Sequence, residues 1–347
     1  MKFSKPIGIV SYGVALPTLC IQTHEIEKAN NAHGVAASLG IKSKTVPDKD
    51  EDTVTLSTRA LFQALERTSP EIKDEIGALF IGSESHPYAV KPSGSIVANA
   101  LGLNPKLSLA DLQFACKAGT QSLQITFSYL EAGLTQSAVA IGADTAQGAP
   151  GDALEYSAAA GAAAFILGTE NVLAKVIAST SIATDTPDFW RRPKQSYPKH
   201  AGRFSGEPAY MTHIIDNTHQ ILDEVNMDIK DFDLIVFHTP NKKFPQAVAK
   251  TLNCTKEQLQ HSLIVETVGN TYAAASLIAF ANVLDHAGAN QKILVVSYGS
   301  GSGSDAFVFE TTNHLPKSRK NWTSLVSDQI AALKPIEYHQ YLQHLHH

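Results

Sequence analysis

Ala78-Leu79-Phe80-Ile81-Gly82-Ser83-Glu84 and Leu234-Ile235-Val236-Phe237-His238 read alike: each is a short apolar run that leads to a chemically capable side chain. Continuous apolar runs of this length suit strands buried on both faces, as helix-covered parallel sheets contain. The sequels match too. Strand 78–82 leads to Glu84, a loop with Pro92, a helix ending near Leu101, then Cys116, a helix to Gly133 and strand 138–142. Strand 234–237 leads to His238, Pro245, a helix ending near Leu252, then Asn270, a helix to Gly288 and strand 293–296. Glu84 and His238 thus take matching places at strand ends, and Cys116 and Asn270 at helix starts. Two generic β–α units aligned by chance would share this outline. Different polar residues at the matching places favour a pseudo-symmetric fold with one site between its halves.

Outward from these runs, 163–167 reads as a further strand, and helices are expected at 53–68, 117–132, 210–225, 244–252 and 271–286. Asp52 is a capping residue for the first, and Gly133 and Gly288 are stop signals for two others. The class is α/β. The expected division is a first half at 1–170, a connecting and lid region at 171–215, and a second half with its tail at 216–347. Within the connection, 183–210 is rich in proline, aromatic and cationic residues, including Asp188-Phe189-Trp190-Arg191-Arg192-Pro193-Lys194. A loop of this length in a compact domain is usually a lid or binding loop.

The chain has 347 residues, 44% hydrophobic and 18% charged, with a formal net charge of −5. That balance gives no global attraction to nucleic acid or acidic membranes, so a polyanionic ligand needs a local basic patch. No signal-peptide stretch or membrane-length apolar run is found. Cys20, Cys116 and Cys254 are an odd set without a C-x-x-C pair, poor material for a disulfide framework. A cytoplasmic protein with free thiols is expected.

Cys116 stands at the start of a predicted helix among the small residues Ala115, Ala118 and Gly119. The helix field, with Lys117 beside it, is expected to favour its thiolate. Cys20 and Cys254 read as packing residues. His238, directly after a buried strand, sits where α/β proteins place ligand-binding groups; His213, His219 and His286 read as helix-surface residues. Taken alone, Asn270 also fits a helix cap, and Glu84 a solvated loop carboxylate. Ser297-Tyr298-Gly299-Ser300-Gly301-Ser302-Gly303-Ser304-Asp305 fits a ligand-facing loop or a plain hairpin turn, and no lysine follows at P-loop spacing. No metal or other cofactor is expected: His344, His346 and His347 read as a terminal tail.

Taken together, these segments resemble the thiolase-fold condensing enzymes, and within them the archaeal type of 3-hydroxy-3-methylglutaryl-CoA synthases. The motifs include Gly82-Ser83-Glu84-Ser85, Phe114-Ala115-Cys116-Lys117-Ala118-Gly119-Thr120, Asp188-Phe189-Trp190-Arg191-Arg192, Gly202-Arg203-Phe204-Ser205-Gly206-Glu207-Pro208 and Gly269-Asn270-Thr271-Tyr272. The resemblance implies two pseudo-symmetric βαβαβ-type halves in αβαβα layers. It implies that Cys116 carries an acetyl group from acetyl-CoA and that Glu84 removes a proton from its methyl. His238 would polarise the ketone of acetoacetyl-CoA, with Asn270 nearby. Arg191, Arg192, Lys242, Lys243, Phe204, Tyr272 and Ser302 are the implied substrate and CoA contacts, Lys243 the favoured lysine. A homodimer, and assembly with an acetoacetyl-CoA thiolase through a zinc-ribbon/OB-fold bridging protein, are implied as well.

Some positions depart from the pattern: Ala273-Ala274 stands for a usual Ser-Gly, Gln113 for a carboxylate, and Lys242, Tyr298 and Ser302 for Gly, Phe and Ala. They flank the expected site and leave the acyl partner open. A ketoacyl-synthase III-like condensation is the competing enzyme reading, opposed by Glu84, because decarboxylative condensation needs no methyl-proton base. A catalytically silent assembly partner is the competing reading from another class, opposed by intact Glu84, Cys116 and His238.

Overall fold

The computed structural model describes residues 1–301 and 303–345; Ser302, His346 and His347 lie outside the described residues, as do the side chains of Arg203, Phe204 and Glu207. Nine strands form one hydrogen-bonded array: β1 Gly8–Ala15, β2 Ile76–Gly82, β3 Ser108–Leu112, β4 Ser137–Asp144, β5 Gly161–Gly168, β6 Ala174–Ala183, β7 Leu234–Phe237, β8 Lys292–Val296 and β9 Gly303–Thr311. Their order is β7-β8-β9-β6-β1-β5-β4-β2-β3.

The array repeats itself. In the first half β2 is parallel to β3 and β4, and β5 then runs antiparallel to both β4 and β1. In the second, β7 is parallel to β8, and β9 runs antiparallel to both β8 and β6. The halves meet at β1 and β6, paired only through Gly8–Lys175 and Ile9–Ala174. The region 171–215 therefore supplies a strand of the sheet as well as the loop.

Six helices cover the sheet: α1 Thr53–Glu66, α2 Ser93–Ala100, α3 Ala118–Glu131, α4 Thr212–Val225, α5 Lys243–Thr251 and α6 Ala275–His286. Helices α1 and α2 pack on the outer face of the first half, where Leu61, Leu79, Ile81, Val97 and Ile141 share a core. Helices α4 and α5 do the same for the second half, with Ile214, Ile221, Ile235, Val248 and Val296. Between the halves lie α3 and α6, in a core of Tyr12, Phe127, Phe165, Leu277, Phe280 and Phe307. That gives the expected five layers. Every residue of α6 from Ala275 to Asp285 is buried, its apolar residues in the core and its polar ones partnered, Asp285 by Tyr12 Oη and Asn282 by the His261 carbonyl.

The central helices meet head to head. A Cβ on Gly119 would lie 2.2 Å from the Ala273 carbonyl oxygen, and one on Gly142 would lie 2.5 Å from it. Glycine is required at both places for the backbones to approach. Two expected helices start later than their periodicity suggests. The helix predicted from 210 begins at Thr212 behind a π-helical turn, Gly206–Met211, and that predicted from 271 opens with a 3-10 turn, Tyr272–Ala274.

Beyond β9 the chain returns to the first half. Lys334–Ile336 pairs with Leu19–Ile21, and Tyr341 Oη accepts a 3.0 Å hydrogen bond from the buried ammonium of Lys44. Among the described residues, no helix is long and apolar enough to cross a membrane.

Candidate active site

The nucleophile candidate sits on a tight turn rather than within a helix. Lys117 N–H donates to the Phe114 carbonyl at 3.1 Å, and Ala115 is held at φ 46°, a left-handed conformation unfavourable for alanine. Helix α3 begins two residues after Cys116. In the second half Asn270 likewise follows a left-handed residue, Gly269 at φ 81°. Its side-chain oxygen accepts from Tyr272 N–H at 3.0 Å, and its own N–H donates to the Ser157 carbonyl at 2.7 Å.

Glu84 is placed by a buried carboxylate that the sequence reading did not single out. Asp144, at the end of β4, accepts hydrogen bonds from Ser83 Oγ (2.7 Å), Ser85 Oγ (2.7 Å) and Glu84 N–H (2.8 Å), and from Ala273 N–H across the halves (2.8 Å). The bonds fold the end of β2 so that the Glu84 carboxyl comes within electrostatic reach of the Cys116 thiol. Burial, and then repulsion from Asp144, push the Glu84 carboxyl up to about 8; the adjacent Cys116 thiol and Arg191 act the other way. Glu84 Oε1 is buried without a partner in the structure.

Burial and the Glu84 carboxyl also hold the Cys116 thiol well above its ordinary range. This corrects the expectation of a thiolate. The thiol is buried in a cluster with Ala158 and Tyr272, and desolvation outweighs the helix field. Lys117 does not assist the sulfur either. Its ammonium turns away to Asp305 at 2.9 Å and lies 3.9 Å from the Phe114 ring centroid.

His238 follows β7, its N–H bonded to the Val296 carbonyl at 2.9 Å and its own carbonyl accepting from Tyr210 Oη at 2.5 Å. Nδ1 lies 3.4 Å from Ser276 Oγ. Burial lowers its pKa to about 3, so the ring works as a neutral imidazole. The ring of Tyr298 stands 6.4 Å from that of His238 and within electrostatic reach of Cys116. Tyr298 Oη donates to Asp188 Oδ2 at 3.1 Å, and Asp188 Oδ1 accepts from Gly301 N–H at 2.7 Å. The 183–210 loop is thereby fastened to the Gly/Ser run. His213 is a second correction: it is buried, its Nε2 2.6 Å from Thr184 Oγ1 and its ring 5.5 Å from that of Tyr298.

The structure separates the expected CoA contacts. Lys243 is exposed at the start of α5, whereas Lys242 is paired with Glu266. Arg191 donates to the Glu84 carbonyl at 3.3 Å, and Arg192 is exposed. Tyr272 packs on Cys116 beside Phe189, its ring 6.2 Å from the phenylalanine's. A cavity of about 600 Å³ reaches Glu84 from the side of Arg191, His86 and the Asp48–Asp52 loop. The carboxylates of Asp48, Asp50, Glu51 and Asp52 make that mouth unfavourable for a polyphosphate.

Asp144, Asp188, Tyr210 and Tyr298 went unassigned in the sequence. Asp144 had a usable signal, since it ends a buried strand as Glu84 and His238 do; Asp188 and Tyr298 stood in or beside the motifs without a role of their own.

Two like α/β halves, with Cys116 and Glu84 on one and His238 and Asn270 on the other, form the thiolase-like fold of the acyl-thioester condensing enzymes. A family model described as "Hydroxymethylglutaryl-coenzyme A synthase N terminal" matches residues 3–172, and one described as "3-Oxoacyl-[acyl-carrier-protein (ACP)] synthase III C terminal" matches 222–311. The hydroxymethylglutaryl-CoA synthase of Methanococcus maripaludis strain C6 is 46% identical over 344 residues, covering 98% of this chain and 96% of that one. That of Archaeoglobus fulgidus is 46% identical over 345 residues, covering 97% and 98%. A crystal structure of an HMG-CoA synthase complexed with CoA superposes with a TM-score of 0.88 at 18% identity, covering 100% of this chain and 91% of the other. The chain belongs to the hydroxymethylglutaryl-CoA synthase family, and is an acyltransferase that condenses acyl-CoA substrates.

Proposed function

We propose that this enzyme condenses acetyl-CoA with acetoacetyl-CoA to 3-hydroxy-3-methylglutaryl-CoA, with Cys116 as acyl carrier, Glu84 as base and His238 as hydrogen-bond donor to the ketone. The observation that carries the assignment is that the Glu84 carboxyl, fixed by the bonds of its loop to Asp144, lies close enough to the buried Cys116 thiol for each to shift the other's titration. An acetyl group on this sulfur would place its methyl beside the carboxyl that must deprotonate it.

In the first step the Cys116 sulfur attacks the acetyl carbonyl, the bond to the CoA sulfur breaks, and CoA leaves with the thiol proton. Glu84 in its ionised form then takes a methyl proton, and the enolate carbon bonds to the ketone carbon of acetoacetyl-CoA. The new oxyanion is stabilised by a neutral donor at His238 and acquires a proton. Water cleaves the acyl–Cys116 bond, releasing a carboxylate and the free thiol.

Asn270 and Tyr272 flank the acyl group. Lys243 and Arg192 are the cations we assign to the CoA phosphates; Phe204 and Ser302 are kept as substrate or CoA contacts on the resemblance alone. Lys242 contributes less because Glu266 already neutralises it, and Arg191 serves the Glu84 loop. The open edge of β3 and the exposed Tyr88 and Val90 nearby support a homodimer. Partnership with an acetoacetyl-CoA thiolase through a bridging protein fits the same reading, and the three free cysteines suit a reducing cytoplasm. The division at 1–170, 171–215 and 216–347 is kept, with β6 counted among the second half's strands.

The test is product identification by mass spectrometry with acetyl-CoA plus acetoacetyl-CoA. The six-carbon hydroxy diacid thioester is expected. A product formed only from a malonyl thioester, with loss of carbon dioxide, would instead favour the synthase III-like reading that the second half's family match raises.

A further inference from the structure

Two buried carboxylates cross between the halves in opposite directions. Asp144 of the first half holds Ala273 N–H at the head of α6, next to the Glu84 loop. Asp305, on β9 of the second half, holds the head of α3, next to Cys116. Its Oδ1 receives Lys117 Nζ at 2.9 Å and Ser181 Oγ at 2.6 Å, and its Oδ2 receives Thr120 Oγ1 at 2.9 Å. The Lys117 and Asp305 side chains are 2% and 0% exposed.

We infer that Lys117 and Asp305 are a positioning pair that pins the Cys116 turn of the first half onto strand β9 of the second. The inference rests on Cys116 being the acyl carrier.

Three observations carry it. A fully desolvated ion pair is poor value for stability alone, because the cost of taking two charges out of water offsets much of their attraction. Its location is specific: Lys117 is the residue after the nucleophile, and Ala115 before it is held in a left-handed conformation that persists only where its surroundings over-determine it. Lastly, its direction is across the site. The Lys117 stem is pressed against Gly299, where a Cβ would lie 2.8 Å from Lys117 Cβ, and the ammonium continues to β9. The nucleophile is thus referenced to the body that carries His238, Asn270 and Tyr298. Both charges are consumed, Asp305 by Lys117, Thr120 and Ser181 and the Lys117 ammonium by Asp305 and Gln121, so the pair acts on geometry rather than on the sulfur's protonation.

The experiment measures the rate at which Cys116 acquires an acetyl group from acetyl-CoA, by rapid-quench mass spectrometry, per folded molecule and well below the melting temperature. Lys117→Met/Asp305→Leu removes the pair and fills its volume with apolar atoms. Asp305→Asn keeps the shape should the double variant not fold. Each folded variant is expected to acetylate about tenfold or more slowly, with the KM for acetyl-CoA changed by less than about threefold. Lys117→Arg, which retains the charge, is expected to recover most of the rate. Folded variants that acetylate at the parent rate would overturn the inference. An absence of adduct on the parent protein would instead overturn the assignment of Cys116.

Discussion

Asp144 accepts the Ala273 amide at 2.8 Å while also binding Ser83, Glu84 and Ser85, so one buried carboxylate places the base and joins the halves. Asp144→Asn should weaken both functions. Repulsion from Asp144 raises the Glu84 pKa, so the variant's rate profile should shift to lower pH at reduced amplitude. An unshifted profile would count against the coupling.

Glu84 itself sets the pH response. Only its ionised form can take the methyl proton, so condensation should rise with pH along a limb centred near 8. Stability should move the opposite way. From the usual carboxyl range up to about 8, the folded protein holds a proton that the unfolded chain has released, so stability falls as pH climbs through that window. Glu84→Gln should flatten this part of the stability curve, measured by denaturant titration at several pH values.

Glu84→Ala should still accept an acetyl group on Cys116 but lose condensation by roughly 10²–10⁴-fold, the usual contribution of a positioned base. Intact-mass measurement of the adduct and a product assay separate the two steps. Unchanged condensation would remove Glu84 from the chemistry.

His238 is buried as a neutral ring, with its pKa lowered to about 3. Its protonation should therefore leave no inflection in the rate between about pH 5 and 8, the range in which an unperturbed histidine titrates. His238→Ala should keep acetylation and lose about 10²–10³-fold in condensation, the usual loss for one oxyanion donor.

Phe280 stacks on Phe165 at 5.6 Å and on Phe309 at 4.7 Å, one ring from each half. Phe280→Ala should cost about 3–5 kcal/mol. Because the two halves share this core, calorimetry should record one lowered cooperative transition rather than two.

Sequence by itself determined the α/β class, the duplication, and the nomination of Cys116, Glu84, His238 and Asn270. Apolar runs and helix signals are local, and a repeated order of them survives without coordinates. Tertiary structure decided the electrostatics. The Cys116 helix start suggested a thiolate, but burial beside Glu84 reversed that, and desolvation is a property of surroundings brought in from distant segments. His213 looked like a helix-surface residue because it lies within a predicted helix rather than at a strand end, yet the ring of Tyr298 covers it. The partners of Asp144 and Asp305 were likewise decided by the fold. Each binds a partner more than a hundred residues away, Ala273 for one and Lys117 for the other, and that pairing exists only once the halves have packed.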